Sequence, residues 1–416
     1  MEHEDETLTS CVLVEPRVEG GGNISEAGLH FIAKHKPSEY THLDNLLNPV
    51  WTWLTELLPV WLAPNMVTTL GGLHCGIAYA VLWWYSPDFN VVTPDWTVAL
   101  AGWCIIAYYT LDCMDGKQAR RTGSSSPLGQ LFDHGFDCLC VQFFVANSAS
   151  YAMLGGTYWF VALQTSLQLA FFMAQWEEYN THILPHCAGK WCGVTEVNYA
   201  MGLVSIFNAF IDRDLFYSRP MKEVLAPLNE FGFSLDSLPP LVLNSELRQF
   251  LMCGWIAMSL TLMALSVRRV MVHDNIAGPK LTFSEVWRRR FLALSKLITP
   301  LALCIAAFSI SPEKVRPRYI TVPLGLCFSV ITKKMIVFSM AKQTFGIIQL
   351  DALPFLLTAA WIALDDNISN ASADFSLRIL CVWYIFRLLR WASVTINQIC
   401  RKLDIYCFRL KKRKDE

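Results

Sequence analysis

Four aspartates carry most of the chemistry this chain has to offer. Asp112 and Asp115 are three residues apart, and Asp133 and Asp137 are four apart. On a helix either spacing puts both carboxylates on one face. Between the pairs, the run from Gly123 to Pro127 turns the chain back, so the two acidic faces can meet. Gly129 lies four residues before Asp133 on the same face, and without a side chain it lets a helix or a substrate come close. Carboxylates converging in a partly dry site repel one another and protonate unless cations balance them. Hard oxygen ligands of this kind suit Mg²⁺, Mn²⁺ or Ca²⁺. A pair of such ions would leave the cluster near neutral and would bridge a pyrophosphate. His134 stands beside Asp133, and an imidazole with a pKa of about 6.5 accepts a proton at neutral pH.

The elements that position these residues are membrane helices. Apolar stretches of about 20 residues, the length that crosses ~30 Å of hydrocarbon, recur near 64–86, 94–114, 129–154, 157–176, 197–217, 248–268, 291–311, 319–341, 349–364 and 375–400. The expected fold is therefore an all-α polytopic membrane protein of about ten transmembrane helices. Asp112 and Asp115 end the second span, and Asp133 and Asp137 begin the third. Before the first span, residues 46–58 place tryptophan and leucine largely on one helical face, the pattern of a helix lying in the membrane interface. Divided accordingly, the chain reads as a polar, partly disordered tail (1–42), an interfacial helix (43–62), a catalytic core (63–217), further transmembrane helices (218–400) and a basic tail (401–416).

Composition agrees. Hydrophobic residues make up 53% and charged residues only 17%, with a mean hydropathy of +0.34. A soluble globule carries nearer a quarter charged residues, so a bilayer is the better solvent. The formal net charge of -1 gives no reason to expect a nucleic-acid partner. The 14 cysteines are scattered and lack paired CxxC spacing, which argues against a zinc site and a disulfide framework. No basic stretch followed by an apolar core opens the chain, so a cleaved signal peptide is not expected. With a cytosolic N-terminus, Lys117, Arg120, Arg121, Arg268, Arg269, Arg288–Arg290, Lys333, Lys334 and Lys342 fall on the cytosolic side, as the positive-inside rule asks. Lys314, Arg316 and Arg318 are the exceptions, along with a mixed-charge loop near 213–222.

Read from Asp112 to Asp137, the residues spell D-x2-D-G-x2-A-R-x8-G-x3-D-x3-D. This matches every fixed position of the CDP-alcohol phosphotransferase signature. The chain resembles that family, and within it the eukaryotic choline/ethanolamine branch, through Pro64-Asn65, Gly116 to Arg121, Ser124 to Gly129 and Phe132 to Gly135. Weaker echoes lie at Val194 to Glu196, Ile331 to Lys334 and Asn397 to Ile399. The resemblance implies a two-metal centre of Mg²⁺ or Mn²⁺ on Asp112, Asp115, Asp133 and Asp137. It also implies a substrate site at Asn65, Gly116, Lys117, Ala119, Arg120 and Gly129, where Gly116 and Ala119 make room for the nucleotide and Lys117 and Arg120 lie near its phosphates. The implied reaction moves phosphocholine or phosphoethanolamine from CDP-choline or CDP-ethanolamine to diacylglycerol, releasing CMP.

His134 and Asp137 are the candidates for the base that takes the acceptor's proton. Where that branch usually has Glu, this chain has Gln130, which hydrogen-bonds but brings no charge to the imidazole four residues on. Trp176, Glu177, Glu178, Tyr179 and Glu196 are candidates for a head-group pocket or, alternatively, for an interfacial belt. Two other readings stay open: a synthase using CDP-diacylglycerol and a small alcohol, and a cation-coupled transporter. The tail ending Lys412-Arg413-Lys414-Asp415-Glu416 resembles a retrieval signal for the endoplasmic reticulum membrane, with the Golgi membrane as the other location. Homodimerisation is a family expectation.

Overall fold

Helix boundaries follow capping chemistry. The computed structural model describes residues 10–411, save 17, 19–20, 33–39, 186, 188, 232–233 and 236–237. A short helix, α1 (Glu26–Phe31), precedes α2 (His42–Glu56), which opens on a reciprocal capping box between Thr41 and Asp44. Pro64 opens α3 (Pro64–Tyr85), and α4 follows (Asp95–Arg121). Gly123, at φ 65°, breaks the chain after α4. Ser126 and Pro127 then start α5 (Pro127–Tyr151), the Ser126 hydroxyl accepting from the Gly129 amide. Next come α6 (Tyr158–Thr181) and α7 (Val194–Phe207).

After a stretch of short helices the second half holds α8 (Leu247–Val272), α9 (Phe283–Ser295), α10 (Ile298–Ser309), α11 (Pro317–Met340), α12 (Leu353–Leu364) and α13 (Asn370–Leu403). Among the described residues no strand forms, only isolated bridges such as Cys187 with Gly193.

Among the described residues, six helical stretches are long and apolar enough to cross a membrane: Pro64–Tyr85, Asp95–Arg121, Leu247–Val272, Phe283–Ser309, Pro317–Met340 and Asn370–Leu403. The helices α5 and α6, of 25 and 24 residues, match them in length but carry more polar side chains. Gln164 of α6 donates to Gln142 of α5 at 3.0 Å, and the hydroxyl of Ser329, in the helix Pro317–Met340, donates to the Cys138 carbonyl of α5 at 2.8 Å inside the bundle. Two further apolar helices, Val194–Phe207 and Leu350–Leu364, are shorter. An all-α polytopic membrane protein is the result. The most buried span is α11, with 83% of its apolar window inside the protein, so it is the post around which α5, α6 and α13 pack.

Three sequence-based expectations shift. The span expected at 197–217 ends at Phe207, because Asp212 caps a separate helix, Arg213–Ser218, whose buried Arg213 pairs with Asp95 at 2.9 Å. The exceptions to the positive-inside pattern are paired cations: Lys314 with Asp366 at 3.4 Å, Arg318 with Asp88 at 3.5 Å, and Arg316 with Asp88 and Asp374 at 3.9 Å. The third concerns the N-terminal tail, whose described parts are packed on the second half. Val12 and Leu13 accept backbone hydrogen bonds from Ile347 and Ile348. The Gln398 side chain accepts from the amides of Asn23 at 2.8 Å and Ile24 at 3.2 Å. The retrieval-like sequence 412–416 lies outside the described residues.

Candidate active site

The four aspartates come from the two helices that flank the Gly123 turn, α4 and α5. Because the turn reverses the chain within a few residues, the last turns of α4 and the first turns of α5 lie side by side. Carboxylate oxygens of Asp112, Asp133 and Asp137 all lie within 4.8 Å of one another. Asp115 stands outside this trio, buried, and its carboxylate accepts a hydrogen bond from the Thr68 hydroxyl on α3.

The trio fits a divalent cation. Asp112 Oδ1 and Asp133 Oδ1 are buried and meet no hydrogen-bond donor. Buried carboxylate oxygens without donors are costly, and a hard cation is the partner that such a set of oxygens accepts. The third member is better provided for. Tyr108, a turn before Asp112 on α4, donates its phenol to Asp137 Oδ1 at 2.5 Å. His134 Nδ1 lies 3.5 Å from Asp137 Oδ2.

Near the trio, neither glycine of the motif is pressed by a close neighbour. A Cβ added at Gly116 would come within 3.7 Å of Arg120 Nη1, and one at Gly129 within 3.9 Å of Asn65 Oδ1, both ordinary contacts. Arg120 is exposed and Ala119 is half-buried. Asn65 donates its amide to the Cys407 carbonyl at 2.9 Å.

Lys117 turns elsewhere: its ammonium bonds Asn48 Oδ1 and, at 3.1 Å, Thr52 Oγ1. Arg121 donates to the carbonyls of Thr55 at 2.9 Å and Leu58 at 2.7 Å. Gln118 donates to those of Pro59 and Leu62, both at 3.0 Å. The basic end of α4 is thus a latch holding α2 and the segment after it. Trp51 Nε1 and Tyr199 join at 3.0 Å from the other side, while Leu46, Val50 and Trp53 of α2 stay exposed.

The residues considered for a head-group pocket have local partners. Trp176 donates to the Ala293 carbonyl at 2.8 Å, Tyr179 to that of Gln343 at 3.1 Å, and Glu196 accepts from the Gly193 amide at 2.9 Å. Glu177 forms a bidentate pair with Arg269 at 2.5 and 2.7 Å. Glu178 is buried beside them.

Sequence reasoning did not single out Tyr108 or Thr68. For Tyr108 a signal existed: it sits four residues before Asp112, on the same face, with a hydroxyl in an otherwise apolar span. Thr68 had none, since only the packing of α3 on α4 brings it to Asp115.

Residues 61–213 match the sequence profile of a family described as CDP-alcohol phosphatidyltransferase. Choline/ethanolaminephosphotransferase 1 of Arabidopsis thaliana is 28% identical over 405 residues, covering 93% of this chain and 98% of that protein. Ethanolaminephosphotransferase 1 of Mus musculus is 27% identical, over 93% of this chain and 96% of its own length. Cholinephosphotransferase 1 of Homo sapiens is 38% identical over 216 residues, half of this chain and 52% of that protein.

Proposed function

The chain belongs to the CDP-alcohol phosphatidyltransferase family, and from that premise we propose that it transfers phosphocholine or phosphoethanolamine from a CDP-alcohol to diacylglycerol, releasing CMP. The observation that carries the reading is the convergence of Asp112, Asp133 and Asp137 within 4.8 Å, with buried oxygens of Asp112 and Asp133 that meet no protein donor. Near-full-length similarity to phosphotransferases of choline and ethanolamine supports it.

Asp112, Asp133 and Asp137 hold Mg²⁺ or Mn²⁺ in this reading, with Asp115 completing a two-metal centre. Cations bound there supply charge to clamp the diphosphate and offset the negative charge that grows on the departing CMP. The protein's own groups do the rest. Gly116 and Gly129 leave room for the nucleotide, and Arg120 stands at the rim, where a diphosphate would meet it. The diacylglycerol hydroxyl attacks the phosphorus that carries the alcohol, the bond from that phosphorus to CMP breaks, and the hydroxyl proton passes to His134. Nδ1 of His134 is the nitrogen beside Asp137, so Nε2 receives the proton, and Asp137 steadies the imidazolium that results. The donor reaches this end of α4 and α5 from the cytosol and the acceptor arrives through the bilayer. Residence in the endoplasmic reticulum membrane with both termini cytosolic fits that supply, and α2 with its exposed Leu46, Val50 and Trp53 lies along the interface.

The test is purified protein in detergent with Mg²⁺ or Mn²⁺ and diacylglycerol, given CDP-choline and CDP-ethanolamine in parallel, reading CMP. Release with either donor is expected. Silence with both, together with release from CDP-diacylglycerol plus inositol or serine, would overturn the assignment.

A further inference from the structure

After α13 the described residues 404–411 turn back onto the protein. Asp404, at φ 52°, ends α13 in a left-handed turn, and the Ile405 amide bonds back to the Cys400 carbonyl at 3.1 Å. Residues 405–411 then cross from the second half of the protein to the first. At Cys407 the backbone carbonyl accepts the side-chain amide of Asn65, at the start of α3, at 2.9 Å. At Phe408 the ring meets Phe132 of α5 edge-on, 5.5 Å between centroids and 85° between planes. Phe132 immediately precedes Asp133, and Asn65 Oδ1 faces Gly129. The strap therefore touches Asn65, which lies against Gly129, and Phe132, which precedes Asp133 on α5.

We propose that this C-terminal strap, through the Cys407 carbonyl and the Phe408 ring, is the outer wall of the site that binds the donor's nucleotide. The inference rests on the donor reading given above. Two features of the strap support it. A carbonyl only accepts, so Cys407 fixes which end of the Asn65 amide it meets: Nδ2 faces the strap and Oδ1 is left toward Gly129. Phe408 keeps 48% of its surface exposed although it packs on Phe132, so an aromatic face remains beside the volume where a pyrimidine base would lie. Planar bases stack on such faces irrespective of their hydrogen-bonding pattern. The strap falls outside residues 61–213, the stretch that carries the family profile, so it is a contribution of the second half to a site built by the first.

Kinetics of the full-length protein separate the alternatives. Phe408→Ala is expected to raise the KM for the CDP-alcohol about tenfold, the equivalent of ~1.4 kcal/mol, with the KM for diacylglycerol and kcat within about twofold of the parent. Phe408→Trp, which restores an aromatic face, should return the donor KM to near the parent value, whereas Phe408→Leu, of similar bulk, should not. Equal rescue by Leu and Trp would reduce the ring to packing and overturn the proposal. So would an unchanged donor KM in Phe408→Ala, or a rise confined to diacylglycerol. Failure of the parent protein to release CMP from either CDP-alcohol is a separate result, one that removes the donor reading itself.

Discussion

The phenol of Tyr108 donates to Oδ1 of Asp137 at 2.5 Å, joining α4 to α5 inside the acidic trio. Tyr108 is buried, so the bond is shielded from water, and it leaves Asp137 Oδ2 to His134. Of the three acidic side chains, Asp137 is thus held by neighbouring side chains, while Asp112 and Asp133 each have a buried oxygen without a protein donor.

Tyr108→Phe removes that donor and little else, since the ring keeps its edge contact with Phe144. A hydrogen bond to a charged group contributes about 1.5–3 kcal/mol. If that bond preorganises Asp137 for the cation, Mn²⁺ affinity should fall about tenfold or more. Electron paramagnetic resonance titration of free Mn²⁺ measures this directly, apart from turnover. Unchanged Mn²⁺ binding would leave Tyr108 a packing residue only.

Removing the metal should stop the reaction. With EDTA present, CMP release is expected to vanish, and added Mg²⁺ or Mn²⁺ should restore it. Asp112→Asn and Asp133→Asn should each cut kcat by at least about a hundredfold and weaken Mn²⁺ binding, because each takes a charge from a ligand already short of partners. Activity that survives chelation would leave the acidic trio without its assigned purpose.

Much of this was legible in the residues. Spacings of three and four put the carboxylates of each pair on one helical face and the Gly123-to-Pro127 turn allowed the faces to meet, although Asp115 stands apart from the trio against Thr68. Helix locations followed from apolar length, because a bilayer makes that length a physical requirement. Pairings across the bundle were not legible. Nothing in the order of residues says that Lys117 would reach back to Asn48 instead of into the site, or that Thr68 would meet Asp115. The same holds for Glu177, whose acidic neighbours suggested a ligand pocket while its actual partner, Arg269, lies 92 residues away. Nor was the docking of the described parts of the N-terminal tail legible, since a polar, acidic composition points to no packing partner. Composition is silent about single anchors such as Glu15, which contacts Lys334 at 3.5 Å and also bonds Gln349.

The Glu177–Arg269 pair gives a stability prediction independent of catalysis. Glu177 is buried and also accepts from Ser266 at 2.6 Å. Arg269→Ala strands the carboxylate; because the Arg269 side chain is itself 44% exposed, the cost is that of an unmade hydrogen bond to a buried charge, about 1–3 kcal/mol. The thermal midpoint in detergent should drop by several degrees. Pairing the change with Glu177→Gln should recover most of the loss, since an uncharged amide needs no counterion. A single variant as stable as the parent would mean that water reaches Glu177.

The crossing of α4 and α7 is the last place where the sequence's small residues set function at a distance. A Cβ at Gly102 would lie 2.4 Å from the Gly202 carbonyl oxygen, and one at Gly202 would lie 2.9 Å from that of Gly102. Both obstacles are backbone, so neither can swing aside, and the helices must separate to admit a side chain. Overpacking of this kind costs about 1–3 kcal/mol. Because α4 carries Asp112 about three turns further along, the strain reaches the metal centre. Gly102→Val and Gly202→Val should therefore lower both the thermal midpoint and kcat. Gly254→Val on α8, where no atom lies within 4 Å of the added Cβ, should change neither. If the two crossing variants behave like the Gly254 control, the close approach of α4 and α7 is not what keeps Asp112 in register with Asp133 and Asp137.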